Sequence, residues 1–437
     1  MRHRRSIRLV AVIVAVTALV ASVIALVVAP AAGAIRPERA PAAHVAYDGW
    51  TSHHDFATGQ FDGSRPAPDG DGAITVGRPV GTRSYTDPFD PSATPVSFDY
   101  ATWTSPVHPT GFGLTELVSS WTADTPHGTW VQVEMRGTTA SGPATKWYVM
   151  GRWTSQMPAA GTDIHRTSVP GQGDADGTVS IDTFFAADGV ALDSYQLRVT
   201  LYRKHGTSAR PTVRSVGVIA SALPDDKTVP AGPLGGAEGI TLDVPQYSQE
   251  IHHGQYPDFD GGGEAWCSPT STEMVTEYWG HHPNPADLSG IPYADPGVDF
   301  AAMHTFDWNY DGAGNWPFNV AYAASYGLEG EVVQLRSLTD AEQYVKHGIP
   351  LVVSVAFKSN ELDGAGYSTD GHLMVIRGFT ATGDVVVNDP ASHLIQDDSA
   401  VETVYKRQQF ADVWLPSSRS GGTAYVIHPA GVPLPQV

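Results

Sequence analysis

The stretch GHLMVIRGFTATGDVVVNDP, residues 371–390, predicts two apolar strands joined by a short polar loop. The strands cover residues 372–379 and 385–387. His372 opens the first strand, and Asp389 follows the second. An imidazole and a carboxylate therefore lie at the same end of a predicted hairpin.

The length of the loop decides whether these two side chains meet. With a four-residue loop, Phe379 pairs with Asp384. Asp389 then faces Met374, which shares a face with His372 because side chains alternate along a strand. The carboxylate becomes the diagonal neighbour of the imidazole, within side-chain reach. A two-residue turn centred one position later would move Asp389 further away, so the prediction depends on the loop.

The chain's one cysteine, Cys267, lies at the start of a predicted helix. Pro269 stands near its first turn and Gly280 just past its end, with apolar residues at helical spacing between them. The unpaired N–H groups and the dipole of a helix N-terminus favour the nucleophilic thiolate. A lone buried cysteine is more often an inert core residue. Polar neighbours and expected export to an oxidising space favour a reactive thiol here.

A thiol nucleophile needs a general base within hydrogen-bond reach, and that base needs an acceptor to orient it. His372 and Asp389 are the candidates for these two tasks. Together with Cys267 they form a candidate catalytic set that is spread over more than 100 residues of sequence.

Three segments resemble a known family when they are taken together. LDVPQYSQ (242–249), WCSPTS (266–271) and the hairpin at 371–390 are similar to the opening strand, the nucleophile segment and the His–Asp segment of the bacteriocin-processing, double-glycine cysteine peptidases. The similarity is closest to their secreted, stand-alone relatives. It covers about residues 240–429, implies a papain-like α+β fold, and does not account for the first half of the chain.

The resemblance also implies roles for individual residues. Cys267 would be the nucleophile, His372 the general base and later the acid, and Asp389 the group that orients the imidazole. No cofactor and no metal are implied. Ser268 follows the cysteine where many members have Gly.

A glutamine is expected to stabilise the oxyanion. By position this is Gln249, which would donate together with the backbone N–H of Cys267. A Gly- and His-rich insertion separates these two residues, so Gln246 or Gln255 could replace Gln249.

Residues 47–222 show short runs of β-forming residues separated by Gly, Pro and Asp. Apolar and polar residues alternate at 131–136 and 196–201, so each run has one face for a core and one for water. About seven strands with turns between them predict an antiparallel β-sandwich. The further predicted strands are 97–103, 114–122, 146–153, 179–185 and 213–220.

The N-terminus predicts export. Four arginines precede an apolar run at 9–28, and Ala32-Gly33-Ala34 offers a small-residue cleavage site, so 1–34 is expected to be a signal peptide. A membrane anchor is the alternative, because the run is long enough to span a bilayer. The protein is therefore expected to be secreted or surface-associated, and in contact with a membrane only if the segment is not cleaved.

Composition excludes several classes of protein. A chain of 437 residues with one cysteine forms no internal disulfide and no multi-cysteine zinc cluster. Hydrophobic residues at 41% exclude wholesale disorder. The net charge of −20 argues against nucleic-acid binding, which depends on clustered Lys and Arg.

Two other patterns suggest metal or sugar sites but have simpler interpretations. Residues 307–312 match the first half of a calcium-binding EF-hand loop, yet its last ligand position holds Phe318, so an Asx-type turn is favoured. The adjacent histidines at 252–253 and 281–282 are interpreted as solvated loop residues. Four tryptophans of the first half are interpreted as core rather than as a sugar-stacking platform: Trp121, Trp130, Trp147 and Trp153.

The predicted organisation is a signal peptide (1–34), a β-sandwich accessory domain (47–222), a Pro/Gly linker (223–239) and a papain-like cysteine peptidase domain (240–430). The predicted function is that of a secreted hydrolase that cleaves peptide bonds through a thioester intermediate. The substrate would be a peptide or a protein, including one attached to the cell wall. Two alternatives remain: acyl or peptidyl transfer by the same residues, and surface glycan binding with a catalytically silent hydrolase fold.

Overall fold

Alternating apolar and polar residues of the first half fold into antiparallel strands in the computed structural model, which describes residues 42–68, 72–92, 94–139, 142–159 and 161–437. The predicted signal peptide lies outside the described residues. Within the described ranges, no helix is both long and apolar enough to cross a membrane.

The first half contains fourteen strands and one short helix among its described residues. They are β1 (His44–Trp50), α1 (His53–Phe56), β2 (Gln60–Asp62), β3 (Ser64–Pro66), β4 (Ile74–Val76), β5 (Gly81–Tyr85), β6 (Val96–Thr104), β7 (His108–Leu114), β8 (Glu116–Asp124), β9 (Thr129–Thr138), β10 (Tyr148–Trp153), β11 (Gly177–Ser180), β12 (Thr183–Ala186), β13 (Leu192–Lys204) and β14 (Thr212–Ala222).

These strands form two antiparallel sheets of seven strands each. One follows the order β11-β12-β8-β14-β4-β3 with β1 on β14, and the other follows β10-β9-β13-β6-β2 with β5 on β6 and β7 on β13. Trp121 of the first sheet and Val133 of the second belong to the same hydrophobic cluster. The predicted alternation is confirmed in β13, where Leu197, Val199 and Leu201 are fully buried.

Residues 179–185, predicted as one strand, form a hairpin instead. Ser180 pairs with Thr183, which leaves Ile181 and Asp182 as a two-residue turn. Ile181 has a φ of 58°, in the left-handed region that β-branched residues rarely occupy. The turn contains neither Gly nor Asn, so the usual sequence signal of a tight hairpin is missing.

Three of the four tryptophans predicted as core are buried, namely Trp121, Trp130 and Trp153. Trp147 is half-buried and differs from that prediction. Its ring lies 4.6 Å from the Arg136 guanidinium and 4.3 Å from that of Arg198, so two cations flank it.

Residues 223–239 contain no helix and no extended strand, and they connect the two halves. Val229, Ala231 and Ala237 are buried in a hydrophobic cluster of the second half. The Gly235 N–H donates to the Glu342 carboxylate at 2.6 Å. This connection is held against the second half rather than spanning free solvent.

The second half mixes helices with one antiparallel sheet. Its elements are α2 (Cys267–Tyr278), α3 (Pro285–Leu288), α4 (Pro296–Thr305), α5 (Trp316–Ala324), β15 (Leu328–Gln334), α6 (Leu338–Lys346), β16 (Leu351–Phe357), β17 (Thr369–Phe379), β18 (Val385–Asn388), β19 (Glu402–Tyr405), α7 (Arg407–Trp414) and β20 (Thr423–Pro429). The strand order is β15-β20-β16-β17-β18-β19. The helix α2 packs on β17, and the Ser271 hydroxyl donates to the Leu373 carbonyl at 3.1 Å. A mixed α+β second half therefore follows a β-rich first half.

The strands β17 and β18 pair as a hairpin, but the predicted register is wrong next to the loop. Phe379 pairs with Val385 instead of Asp384, so the loop is one residue longer than predicted. A β-bulge at Arg377 absorbs the additional residue, and beyond it the pairing returns to the predicted offset. The longer loop and the bulge offset each other, so Asp389 remains beside the start of β17.

Residues 41–437 form a single compact unit, and the two halves share a core. Phe318 and Tyr322 of α5 belong to the same hydrophobic cluster as the two sheets of the first half. The Phe318 ring lies 5.4 Å from that of Trp153. Arg166, fully buried, donates to the Met303 carbonyl at 2.8 Å, and its pKa is lowered to about 9 by burial. The first half is thereby fixed against the helices that carry the site.

Candidate active site

Cys267 is the first residue of α2, and its side chain is half-buried. Its position matches the helix start predicted from Pro269 and Gly280. Trp266, which precedes it, makes no side-chain cap, so the first N–H groups of the helix are not capped by that residue. A thiol at this position lies in the field of the helix N-terminus, which favours a negative sulfur.

His372 lies in β17 opposite Val355 of β16, and it is 4% exposed. Its Nε2 is 2.8 Å from Oδ1 of Asp389, which is completely buried. Because the carboxylate occupies Nε2, the Nδ1 nitrogen is left to face another group. Cys267 lines the same cleft as His372, and its charge and side-chain hydrogen bond are among the causes that raise the pKa of His372.

The Asp389 carboxylate accepts hydrogen bonds from several groups besides His372. The Tyr367 hydroxyl donates to its carboxylate at 2.8 Å, and the Tyr405 hydroxyl donates at 2.8 Å as well. The backbone N–H of Ala391 donates at 3.1 Å. These contacts fix the carboxylate, and through it the ring plane of His372. Neither tyrosine was predicted, because nothing in the spacing of Tyr367 or Tyr405 relates them to Asp389.

The buried pair is charged. Burial alone would lower the pKa of His372, but the charges of Asp389 and Cys267 and hydrogen bonds with both raise it to about 10. Burial likewise opposes the charged carboxylate, yet the His372 charge and hydrogen bonds from His372, Tyr405 and Tyr367 lower the pKa of Asp389. Both shifts favour the charged forms, an imidazolium and a carboxylate, at neutral pH.

The pair predicts a defined dependence of stability on pH. The pKa of His372 rises from 6.5 to about 10 on folding, so its contribution is complete below pH 6.5 and is lost as pH rises through about 10. The pKa of Asp389 falls below 3.8, so its contribution is present above that value and is lost in acid. We expect the free energy of unfolding of the wild type to exceed that of His372→Gln most strongly between pH 3.8 and pH 6.5, where both contributions are present.

Urea unfolding of both proteins from pH 3 to pH 10 measures this gap. His347→Gln, at an exposed position after α6, serves as the matched control. A gap between wild type and His372→Gln that stays constant across the whole range would show that the pair is not ionised in the folded protein.

Gln249 begins a short 3-10 helix (Gln249–His252) rather than ending a strand. The expected opening strand is absent over 242–249, although the preceding Glu238 and Thr241 form isolated bridges to β17 and the Leu242 N–H donates to the Arg377 carbonyl at 2.8 Å. The Gln249 Nε2 donates to the Glu264 carbonyl at 2.6 Å, while its buried Oε1 has no partner. Gln246 and Gln255, the two alternatives, do not line the cleft that holds Cys267.

That cleft has a volume of about 550 Å³ and contains Cys267, His372 and Gln249. Ile181 and Asp182, the hairpin turn of the first half, form part of its wall. The Asp182 carboxylate accepts the backbone N–H of Trp316 at the start of α5, at 2.8 Å. The first half thus contributes directly to the surface around the thiol, which the sequence did not predict.

Two family models match the chain. The model described as Peptidase C39 N-terminal domain matches residues 46–221, and the one described as Peptidase C39 like family matches residues 241–421. The chain is related to the bacteriocin-processing C39 peptidases. The C39 relationship includes the β-rich half, which the resemblance of the three segments left unexplained.

Solved structures match this chain more weakly than the family models do. A protein described as a C39-like peptidase from Bacillus anthracis is 16% identical, and the match covers 43% of this chain and 96% of that one with a TM-score of 0.27. A family two carbohydrate esterase from Cellvibrio japonicus is 10% identical over 54% of this chain and 49% of that one, with a TM-score of 0.19. None of the curated proteins matches the sequence.

Two further predictions have opposite outcomes in the C39 relative. The Asx-type turn is confirmed, because the Asp307 carboxylate accepts the N–H groups of Asn309 and Tyr310 at 3.0 and 3.2 Å. The interpretation of His252 as a solvated residue is wrong. It is fully buried, and its Nδ1 lies 3.2 Å from the carboxylate of Asp299. Sequence alone does not separate these cases, because burial of a loop depends on what packs over it.

Proposed function

We propose that the chain is a secreted cysteine peptidase that hydrolyses peptide bonds. One observation carries this proposal: the His372–Asp389 pair is held at 2.8 Å in the same cleft as Cys267, which lies at a helix start. A thiol, a base and an orienting acceptor in this order are what nucleophilic catalysis by cysteine requires.

In the proposed reaction the Cys267 thiolate attacks the carbonyl carbon of the scissile amide. The C–N bond then breaks, and the His372 imidazolium gives its proton to the departing amine. Neutral His372 next removes a proton from water, which attacks the thioester and releases the carboxylate product together with the thiolate. Asp389 stabilises the imidazolium at each stage and remains ionised.

The negative oxygen of each tetrahedral intermediate needs donors. We assign this task to the backbone N–H of Cys267 and to the Gln249 side chain. The Glu264 carbonyl holds one N–H of the Gln249 amide at 2.6 Å, which orients the amide and leaves its second N–H for the oxyanion.

We also propose a papain-like fold for the second half and a β-sandwich for the first. The sandwich would act as a wall of the substrate cleft through Ile181 and Asp182. The predicted signal peptide supports an extracellular location, and the substrate would be a peptide or protein outside the cell, including one attached to the wall.

Cleavage of a peptide library in water enriched in oxygen-18 tests this function. We expect new carboxyl termini that each carry one oxygen-18 atom, detected by mass spectrometry, because water resolves the thioester. Products joined to added amines without the label would indicate transfer instead. A library left intact by the wild-type protein would contradict the peptidase assignment.

A further inference from the structure

Glu250 is a buried carboxylate that faces the cleft. It follows Gln249 in the short 3-10 helix, is only 7% exposed, and lines the same cleft as Cys267 and His372. Its side chain has no hydrogen-bond or ion-pair partner among the described residues, since only its backbone atoms are engaged. Its carboxylate oxygens are not among the fully buried atoms that lack a partner, so the cleft gives a group that enters it access to them.

The other carboxylates of the cleft differ from Glu250 in this respect. Each accepts from a donor of the chain: Asp182 from Trp316 at 2.8 Å, Asp260 from Ala313 at 3.1 Å, Glu264 from Gly254 at 3.2 Å and Asp370 from Lys358 at 2.5 Å. These four have structural roles within the protein. Glu250 is the member of the set that is free to bind a ligand.

Among the described residues, no basic side chain forms an ion pair with Glu250. Apart from His372, Arg419 is the basic side chain that lines the described cleft, and its guanidinium is engaged with Glu361 at 2.8 Å. Burial and the charge of Glu264 raise the pKa of Glu250, while the charges of His253 and His372 oppose that rise. A positively charged ligand would favour the ionised form of the Glu250 carboxylate.

We propose that Glu250 binds a cationic group of the substrate, an amine or a guanidinium, next to the scissile bond. This inference rests on the proposed peptidase function and specifies its substrate class as basic peptides. The position next to the scissile bond rests on the shared cleft, because Glu250 lines it together with Cys267 and with Gln249, which is assigned to the oxyanion.

The single cysteine allows a test that does not depend on peptide cleavage. Methanethiosulfonates transfer a thioalkyl group to a thiolate and release methanesulfinate, and they exist in cationic (aminoethyl) and anionic (sulfonatoethyl) forms. Every modification of the chain reports on Cys267. We expect the ratio of cationic to anionic rates, each divided by the rate with a small free thiol, to fall about tenfold or more in Glu250→Gln.

Asp370→Asn is the matched control, because this carboxylate is at the rim of the cleft and is paired with Lys358. Its ratio should equal that of the wild type. Glu250→Gln should also melt at an unchanged or higher temperature, since it removes an unpaired buried charge; a lower melting temperature would reveal a structural role.

An unchanged ratio in Glu250→Gln would overturn the proposal, even if peptides are cleaved. Cleavage of library peptides with no preference for Lys or Arg near the scissile bond would also overturn it while leaving the peptidase function intact. A ratio that falls as expected in a protein that cleaves nothing would instead retain Glu250 as a cation-binding residue and contradict the peptidase function.

Discussion

Replacing Cys267 with alanine is expected to reduce kcat/KM for any cleaved peptide by about 10⁴-fold or more, because no other group of the cleft is placed to form the thioester. The loss should appear in kcat, since the cleft walls that bind the peptide are unchanged. Initial rates measured with a peptide taken from the library provide the comparison. Melting temperatures of the two proteins should agree closely, because the thiol is half-buried and replaced by a smaller side chain.

Ser289→Ala provides the control for this substitution. Ser289 is exposed and lies outside the cleft, and its hydroxyl donates to the carbonyl of Ala286. The activity of the Ser289→Ala variant should therefore equal that of the wild type. Retention of full activity in Cys267→Ala would assign the hydrolysis to another group or to a contaminating protease.

Asp389→Ala is expected to combine a loss of activity with a loss of stability. It leaves His372 and the hydroxyls of Tyr367 and Tyr405 without their acceptor in a buried site. Removing one partner of a buried ion pair costs about 3–5 kcal/mol of unfolding free energy, which urea titration at pH 7 measures. The rate should fall about 10³-fold, since the imidazole loses both its orientation and its counter-charge.

Asp384→Ala is the matched control in the same hairpin. Its carboxylate pairs with the exposed Lys406 and accepts the Arg407 N–H at the start of α7, so its removal should cost about 1–2 kcal/mol of unfolding free energy and leave the rate unchanged. Equal destabilisation by the two substitutions would show that the tyrosines and His372 find other partners when Asp389 is absent.

For the hairpin at 371–390, the local sequence pattern predicted the strands but not the irregularities in their pairing. Continuous apolar runs located both strands, and a simple offset placed Asp389 near His372. The loop is one residue longer than predicted and the bulge at Arg377 compensates for it. Neither irregularity has a local signal, because a bulge forms where the packing of the sheet tolerates an additional residue.

Contacts between distant segments could not be predicted. Tyr405 reaches Asp389 because β19 pairs with β18, and Ile181 reaches the cleft because the first half packs on α5. Both depend on tertiary packing, which sequence spacing does not encode. The buried His252 is a similar case, since its pattern is that of a loop residue.

The rate at which iodoacetamide alkylates Cys267 at pH 7 tests whether His372 and Asp389 activate this thiol. We expect alkylation faster than that of a free cysteine in solution, and a fall to the ordinary rate or below in His372→Ala. Ordinary kinetics in the wild type, unchanged by that substitution, would contradict the account.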